Sequence, residues 1–266
     1  MKIAVFLDVD RTLTRDYIQQ EYARALECEP EYLEVETRLQ SQEITSTEFG
    51  ERIIKLFASR GFTEVQAREH SKEVALQPWT DELLRLPGIH KYLVSSGPNY
   101  YIDPLAEKYR IPEEHVLRSV YSFDKKTEII EKCKAVDEEE KEEFVKQRVK
   151  RYDITVGVGD NPELDGPFIS HCTIRLMTVK TDRYIYVPNF KTVVRLITKL
   201  SEVERADGEV ASIEAEKLTI PELLRAMRRL TIKSWIFVAG LFGAIFAAGA
   251  ASTKLPAVIS QLLKSK

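Results

Sequence analysis

The opening of the chain constrains its fold most: Ile3, Val5, Phe6 and Leu7 make a short β-branched and apolar run that stops at Asp8, with Asp10 two positions further on. Such a run reads as a buried parallel strand. Similar runs recur at Tyr92 to Val94, Ile154 to Val158 and Thr173 to Met177. Stretches with helical spacing lie between them, one holding Phe49, Ile53, Ile54 and Phe57 and another holding Ile129, Ile130 and Cys133. Strands alternating with helices predict an α/β fold, doubly wound and Rossmann-like, with helices on both faces of the sheet. Residues 15–86 break the alternation, being helical in pattern and free of convincing strands, and read as an inserted helical subdomain. The sheet domain is then expected from residues 1–14 and 87–200.

A content of 44% hydrophobic and 30% charged residues over 266 positions is that of a packed globular chain and excludes collagen-like, low-complexity and disulfide-scaffold classes. The formal charge of −3 gives no basic excess, so no nucleic-acid partner is expected. Cys28, Cys133 and Cys172 lie far apart and form no CxxC pair, which points to a reducing compartment. Because the first ten residues already contain Asp8 and Asp10, they leave no room for the apolar centre of a secretory signal, and the sheet domain is expected in the cytoplasm. The acidic run Asp137 to Glu143, DEEEKEE, reads as the solvated start of a helix, with acids favoured by the helix dipole.

Beyond residue 200 the character changes. Residues 201–233 read as a polar linker followed by an amphipathic helix with Arg225, Arg228 and Arg229, opened by capping-box spacing between Thr219 and Glu222. Residues 234–253 carry no charge and are bounded by Lys233 and Lys254, close to the length that crosses a bilayer core. They predict a single transmembrane helix, with a buried or interfacial helix as the alternative. A short tail, 254–266, follows. The excess of basic residues before the span places the N-terminal side in the cytoplasm. Small residues four apart, such as Ala239 and Gly243, permit a homodimer through the span, although small residues are equally ordinary in such helices.

The chemistry centres on Asp8 and Asp10, at a strand end where open parallel sheets bind ligands. Alternation sends both carboxylates to one side, where like charges raise a pKa or recruit a cation. The run Asp8-Val9-Asp10-Arg11-Thr12-Leu13-Thr14 resembles the first motif of haloacid dehalogenase superfamily phosphatases. Leu93-Val94-Ser95-Ser96-Gly97 is similar to the second motif, Lys126 in KKTEII resembles the third, and Val156-Gly157-Val158-Gly159-Asp160 with Asp165 resembles the fourth. The resemblance covers about residues 1 to 200, and the insert resembles the helical cap of the phosphoserine-phosphatase-like branch.

That resemblance implies a phosphomonoester hydrolase working through an aspartyl phosphate. Asp8 is the implied nucleophile and Asp10 the implied acid and base. Thr12, Ser95 and Lys126 are the implied phosphate-binding residues, with Lys125 a rival for the last role. Mg²⁺ is the implied cofactor, held by Asp8, the backbone carbonyl of Asp10, Asp160 and Asp165, with Glu163 an alternative to Asp165. Asn161 stands where the family often has glycine. The expected substrate is a phosphorylated small molecule or a lipid, with the enzyme anchored to the membrane. Two other readings are transfer of the phosphoryl group to an acceptor other than water, and a tethered binding module without activity.

Overall fold

The computed structural model describes residues 2–203. Every residue of β1 (Ile3–Leu7) is buried. Strand alternation splits that burial: Ile3, Val5 and Leu7 enter one apolar core while Ala4 and Phe6 enter another. A sheet covered on both faces is the requirement that makes the run continuous rather than alternating.

After β1 the chain enters the insert, formed by α1 (Ile18–Ala25), α2 (Glu29–Gln40), α3 (Ser46–Ser59) and α4 (Glu64–His70), and returns through α5 (Thr80–Arg85). Reciprocal capping boxes fix two of these starts, Thr45 with Glu48 at α3 and Thr63 with Gln66 at α4. The insert leaves and re-enters the sheet domain through one narrow neck. There Arg15 N–H donates to Ala75 O at 2.9 Å, Gln77 N–H donates to Leu13 O at 2.8 Å, and Thr14 bridges Leu76.

The sheet continues with β2 (Ile89–Pro98), then α6 (Asn99–Lys108), β3 (Val116–Phe123), β4 (Ile130–Lys134), α7 (Glu138–Val149), β5 (Ile154–Gly159), α8 (Gly166–Ile169), β6 (Ile174–Met177), β7 (Ile185–Tyr186) and α9 (Phe190–Val203). Its order is β4-β3-β2-β1-β5-β6-β7. All neighbours are parallel except β3 with β4. From β1 the chain adds β2, β3 and β4 on one side and then crosses back through α7 to β5 on the other side of β1. The end of β1, where Asp8 follows, is therefore the switch point at which such sheets open a crevice.

Two expectations change here. The segment with Ile129, Ile130 and Cys133 is strand β4, not helix. It folds back on β3 through a turn held by Asp124, whose Oδ1 accepts from the backbone of Lys126 and Thr127, and Ile130 N–H donates to Phe62 O of the insert. Short apolar runs do not discriminate between the two periods, so tertiary pairing decides. At the other end, α9 runs through Val203, past the expected boundary at residue 201. The expected basic helix, the span 234–253 and the tail lie outside the described residues. Among the described residues no helix is long and apolar enough to cross a membrane.

On the face under α7 and α8, Phe6 stacks on Tyr92 with ring centroids 4.6 Å apart, both rings almost wholly buried. Phe6→Ala is expected to cost about 3–5 kcal/mol, seen as a lower urea midpoint with an unchanged slope.

Candidate active site

Asp8 is held directly at the strand end, since its N–H still donates to Val158 O of β5 at 2.9 Å. The chain then turns tightly: Val9 O accepts from the backbone N–H groups of Thr12, Leu13 and Thr14, and Arg11 takes a left-handed φ of 54°. This turn presents Asp10 beside Asp8. Asp10 Oδ1 accepts from Ile18 N–H at 2.7 Å, tying the carboxylate to the first turn of α1 in the insert. Ser95 donates to Asp10 Oδ2 at 3.5 Å and accepts from Gly97 N–H at 2.9 Å. Gly97 is required for this approach, because a Cβ there would lie 2.5 Å from Asp10 Oδ2.

The end of the neighbouring strand β5 brings the other acids. Asp165 Oδ2 accepts from the N–H groups of Asp160 and Asn161, both at 3.1 Å, and shapes the loop that carries them. At Gly159 a Cβ would sit 2.6 Å from that oxygen. Carboxylate oxygens of Asp8, Asp160 and Asp165 all lie within 4.8 Å of one another. Thr12 donates to Asp160 Oδ1 at 3.5 Å, and Glu163 is exposed and outside the group. Asp8, Asp10, Thr12, Ser95, Asp160 and Asp165 are thus brought into one cluster.

Lys126 is not. It is exposed at the turn between β3 and β4, as is Lys125. The lysine that reaches the cluster is Lys141, whose Nζ donates to Asp8 Oδ1 at 3.3 Å and to Asp165 Oδ1 at 3.0 Å while only 4% exposed. It belongs to the acidic run, which is therefore not wholly a solvated face. Asp137 caps α7 by accepting from Glu140 N–H, and this fixed start turns Lys141 and Val145, four residues apart, onto the buried stripe. The lone lysine set four residues before a buried valine was the available signal. The neighbouring acids masked it.

Burial governs the charges. It pushes the Asp8 carboxyl well above its ordinary range, with Asp165 adding repulsion and Lys141 opposing it. Burial raises Asp10 to about 6, and burial together with Asp165 raises Asp160 to about 7. Burial alone would lower the pKa of the Lys141 ammonium, but Asp165 and Asp8 outweigh it and hold it above its usual value. A set of buried carboxylate oxygens that repel one another is the donor chemistry of a hard divalent cation, so Asp8, Asp160 and Asp165 fit Mg²⁺.

A mostly parallel sheet with carboxylates at the ends of two adjacent strands, a buried lysine between them and a helical insert after the first strand defines a known class. The chain belongs to the haloacid dehalogenase-like hydrolases, whose family model matches residues 5–168. Its fold is similar to that of a HAD family hydrolase from Salmonella enterica subsp. enterica serovar Typhi, at 15% identity and a TM-score of 0.57, covering 67% of this chain and 63% of that one. A substrate-bound phosphoserine phosphatase matches at 15% identity and a TM-score of 0.59 over 73% of this chain and 97% of that one. A phosphoserine phosphohydrolase-like protein from Francisella tularensis subsp. tularensis matches at 16% identity and a TM-score of 0.58 over 74% and 100%. The chain thus spans just under two thirds of the Salmonella hydrolase. No curated protein matches it in sequence.

Removing the buried cation separates the two lysines. In chelator, Lys141→Met is expected to lower stability by about 3–5 kcal/mol, because Asp8 and Asp165 lose their counter-charge. Lys126→Ala is expected to stay within about 0.5 kcal/mol of the parent in the same denaturation experiment.

Proposed function

We propose that the protein hydrolyses a phosphomonoester through an aspartyl phosphate on Asp8, and that it is attached to a membrane through residues 234–253. The observation that carries the first part is the pairing of Asp8 with Lys141 at the switch point, next to an acid, Asp10, in a different environment. In the first step an Asp8 oxygen attacks phosphorus and the bond from phosphorus to the alcohol oxygen breaks. Asp10 gives that oxygen its proton. In the second step a water oxygen attacks phosphorus, its proton passes to Asp10, and the bond to Asp8 breaks to release phosphate.

Phosphoryl transfer is mostly positioning and charge neutralisation, and Lys141 supplies a fixed positive charge at the nucleophile. Mg²⁺ held by Asp8, Asp160 and the backbone carbonyl of Asp10, with Asp165 in support, would neutralise phosphate charge when bound. Asp165 keeps the Asp160 loop in place through two backbone hydrogen bonds. Asp10 is oriented by Ile18 N–H, so its aim depends on where the insert sits. Asn161 Nδ2 donates to Gln40 Oε1 of α2 at 2.5 Å, and Ser46 of α3 donates to Glu138 of α7 at 2.6 Å. Together these contacts hold the insert over the site and shield the reaction from bulk water, as lids do.

The chain is expected to release phosphate from an aryl phosphate in the presence of Mg²⁺, to stop in chelator, and to be inactive as Asp8→Asn. Acid quenching during turnover should trap phosphate on Asp8, identified by mass spectrometry. A folded protein that releases phosphate normally as Asp8→Asn would overturn the reading. For the attachment, the full chain should float with lipid vesicles and a chain ending at residue 203 should not.

A further inference from the structure

Between the insert and the ends of the strands lies an open-sided cleft with Asp8 and Asp10 at its floor. Its walls are divided. Leu39, Phe49 and Val136 give it an apolar side, while Glu36, Gln40 and Tyr17 form a polar corner on the insert. Glu36 is 6% exposed, and neither the nucleophilic step nor the metal set uses it. It lies on one face of α2 with Tyr32 and Gln40, four residues to either side.

Its carboxylate is met by neutral donors, the Tyr32 hydroxyl at 3.0 Å and the Gln40 amide at 2.8 Å. Gln40 cannot turn away, because its other end accepts from Asn161 while its NH₂ also reaches the Tyr17 hydroxyl at 3.3 Å. The basic residue that lines the cleft among the described residues, Lys141, is committed to Asp8 and Asp165. Arg11, nearby, lies over the Tyr17 ring and 3.9 Å from Asp160; its charge also attracts the Glu36 carboxylate, but less strongly than burial opposes it. A buried carboxylate held rigidly by neutral donors carries a desolvation cost that a cation in the cleft would offset. Burial accordingly pushes the Glu36 carboxyl above its ordinary range. Among the described residues no guanidinium lines the cleft to receive an anionic substituent.

On the reading that the site hydrolyses a phosphomonoester, we propose that its leaving group is an amino alcohol whose cationic amine is received by Glu36 and which carries no carboxylate. Glu36 is then the specificity-determining residue of the cleft, and the apolar wall of Leu39, Phe49 and Val136 covers the carbon skeleton.

The test compares kcat/KM of the full chain for ω-aminoalkyl phosphates of graded length, n-alkyl phosphates of matching length, the N-acetylated amines and O-phosphoserine. The expected result is a preference for the free amine on the order of a hundredfold at the best length, because a buried charged site rejects analogues that leave it unpaired. O-phosphoserine is expected to fall below the amine of similar size. Glu36→Gln should collapse the ratio of amine to alkyl turnover mainly through KM. The substrate series on the parent protein stands by itself if that variant does not fold. Running the amine series on long-chain amino alcohol phosphates in mixed micelles as well separates a lipid source from a soluble one, and preference in either arm supports the proposal. Turnover of alkyl and amino phosphates at similar rates, or an amine preference unchanged in a folded Glu36→Gln, overturns it and leaves hydrolysis standing. Failure to hydrolyse any phosphate overturns both.

Discussion

The bridge from Lys141 to Asp8 and Asp165 is the interaction on which the rest depends. The topology brings the ends of β1 and β5 side by side, and the sequence puts an acid at each. Left alone, that arrangement would place several like charges in a largely buried site. One ammonium shared between two strand ends makes it tolerable, and it reaches the site from a third element, α7. The sheet, the helix packed on it and the chemistry are therefore not separable layers. The helix is aligned by a cap at Asp137, the cap sets where Lys141 points, and Lys141 opposes the burial and repulsion that push the Asp8 carboxyl up.

The insert is joined to this centre more closely than its single neck implies. Its aromatic residues Tyr22, Phe57 and Phe62 pack in the same apolar core as Ile3, Val5 and Leu7 of β1. Polar contacts then close over the site from three sides: Ile18 N–H on Asp10, Gln40 with Asn161, and Ser46 with Glu138. Asn161, which departs from the glycine common in the family, has a use here that glycine could not supply. Its side chain is the core's hold on the corner of α2 that also carries Glu36.

Much of this was legible in the sequence because it depends on local rules. The buried strands announced themselves as apolar runs ending in Asp8, Ser95 and Asp160, and the family's spacing ordered them. What was lost depended on partners remote in sequence. β4 has an apolar spacing compatible with a helix and becomes a strand only because β3 lies beside it and Phe62 of the insert accepts its first N–H. Lys141 was hidden by composition: in a run of six acids and one base, the base looks like surface decoration until the helix start is fixed to the residue. Lys126 looked correct because KKTEII resembles the family's third motif in order and spacing, yet Asp124 holds that turn at the surface.

Gly97 and Gly159 bear on how such a site can change over generations. Each leaves room that a carboxylate fills, Asp10 against one and Asp165 against the other, so a single methyl group at either position would displace an acid. The carboxylates themselves can become amides with little change of shape. A lineage that abandoned the reaction could thus lose its acids one by one while the two glycines stayed, since they answer to volume and not to chemistry. In a set of descendants, glycine at both places beside an altered Asp8 or Asp10 would mark a former enzyme, and replacement of the glycines would mark a rebuilt pocket.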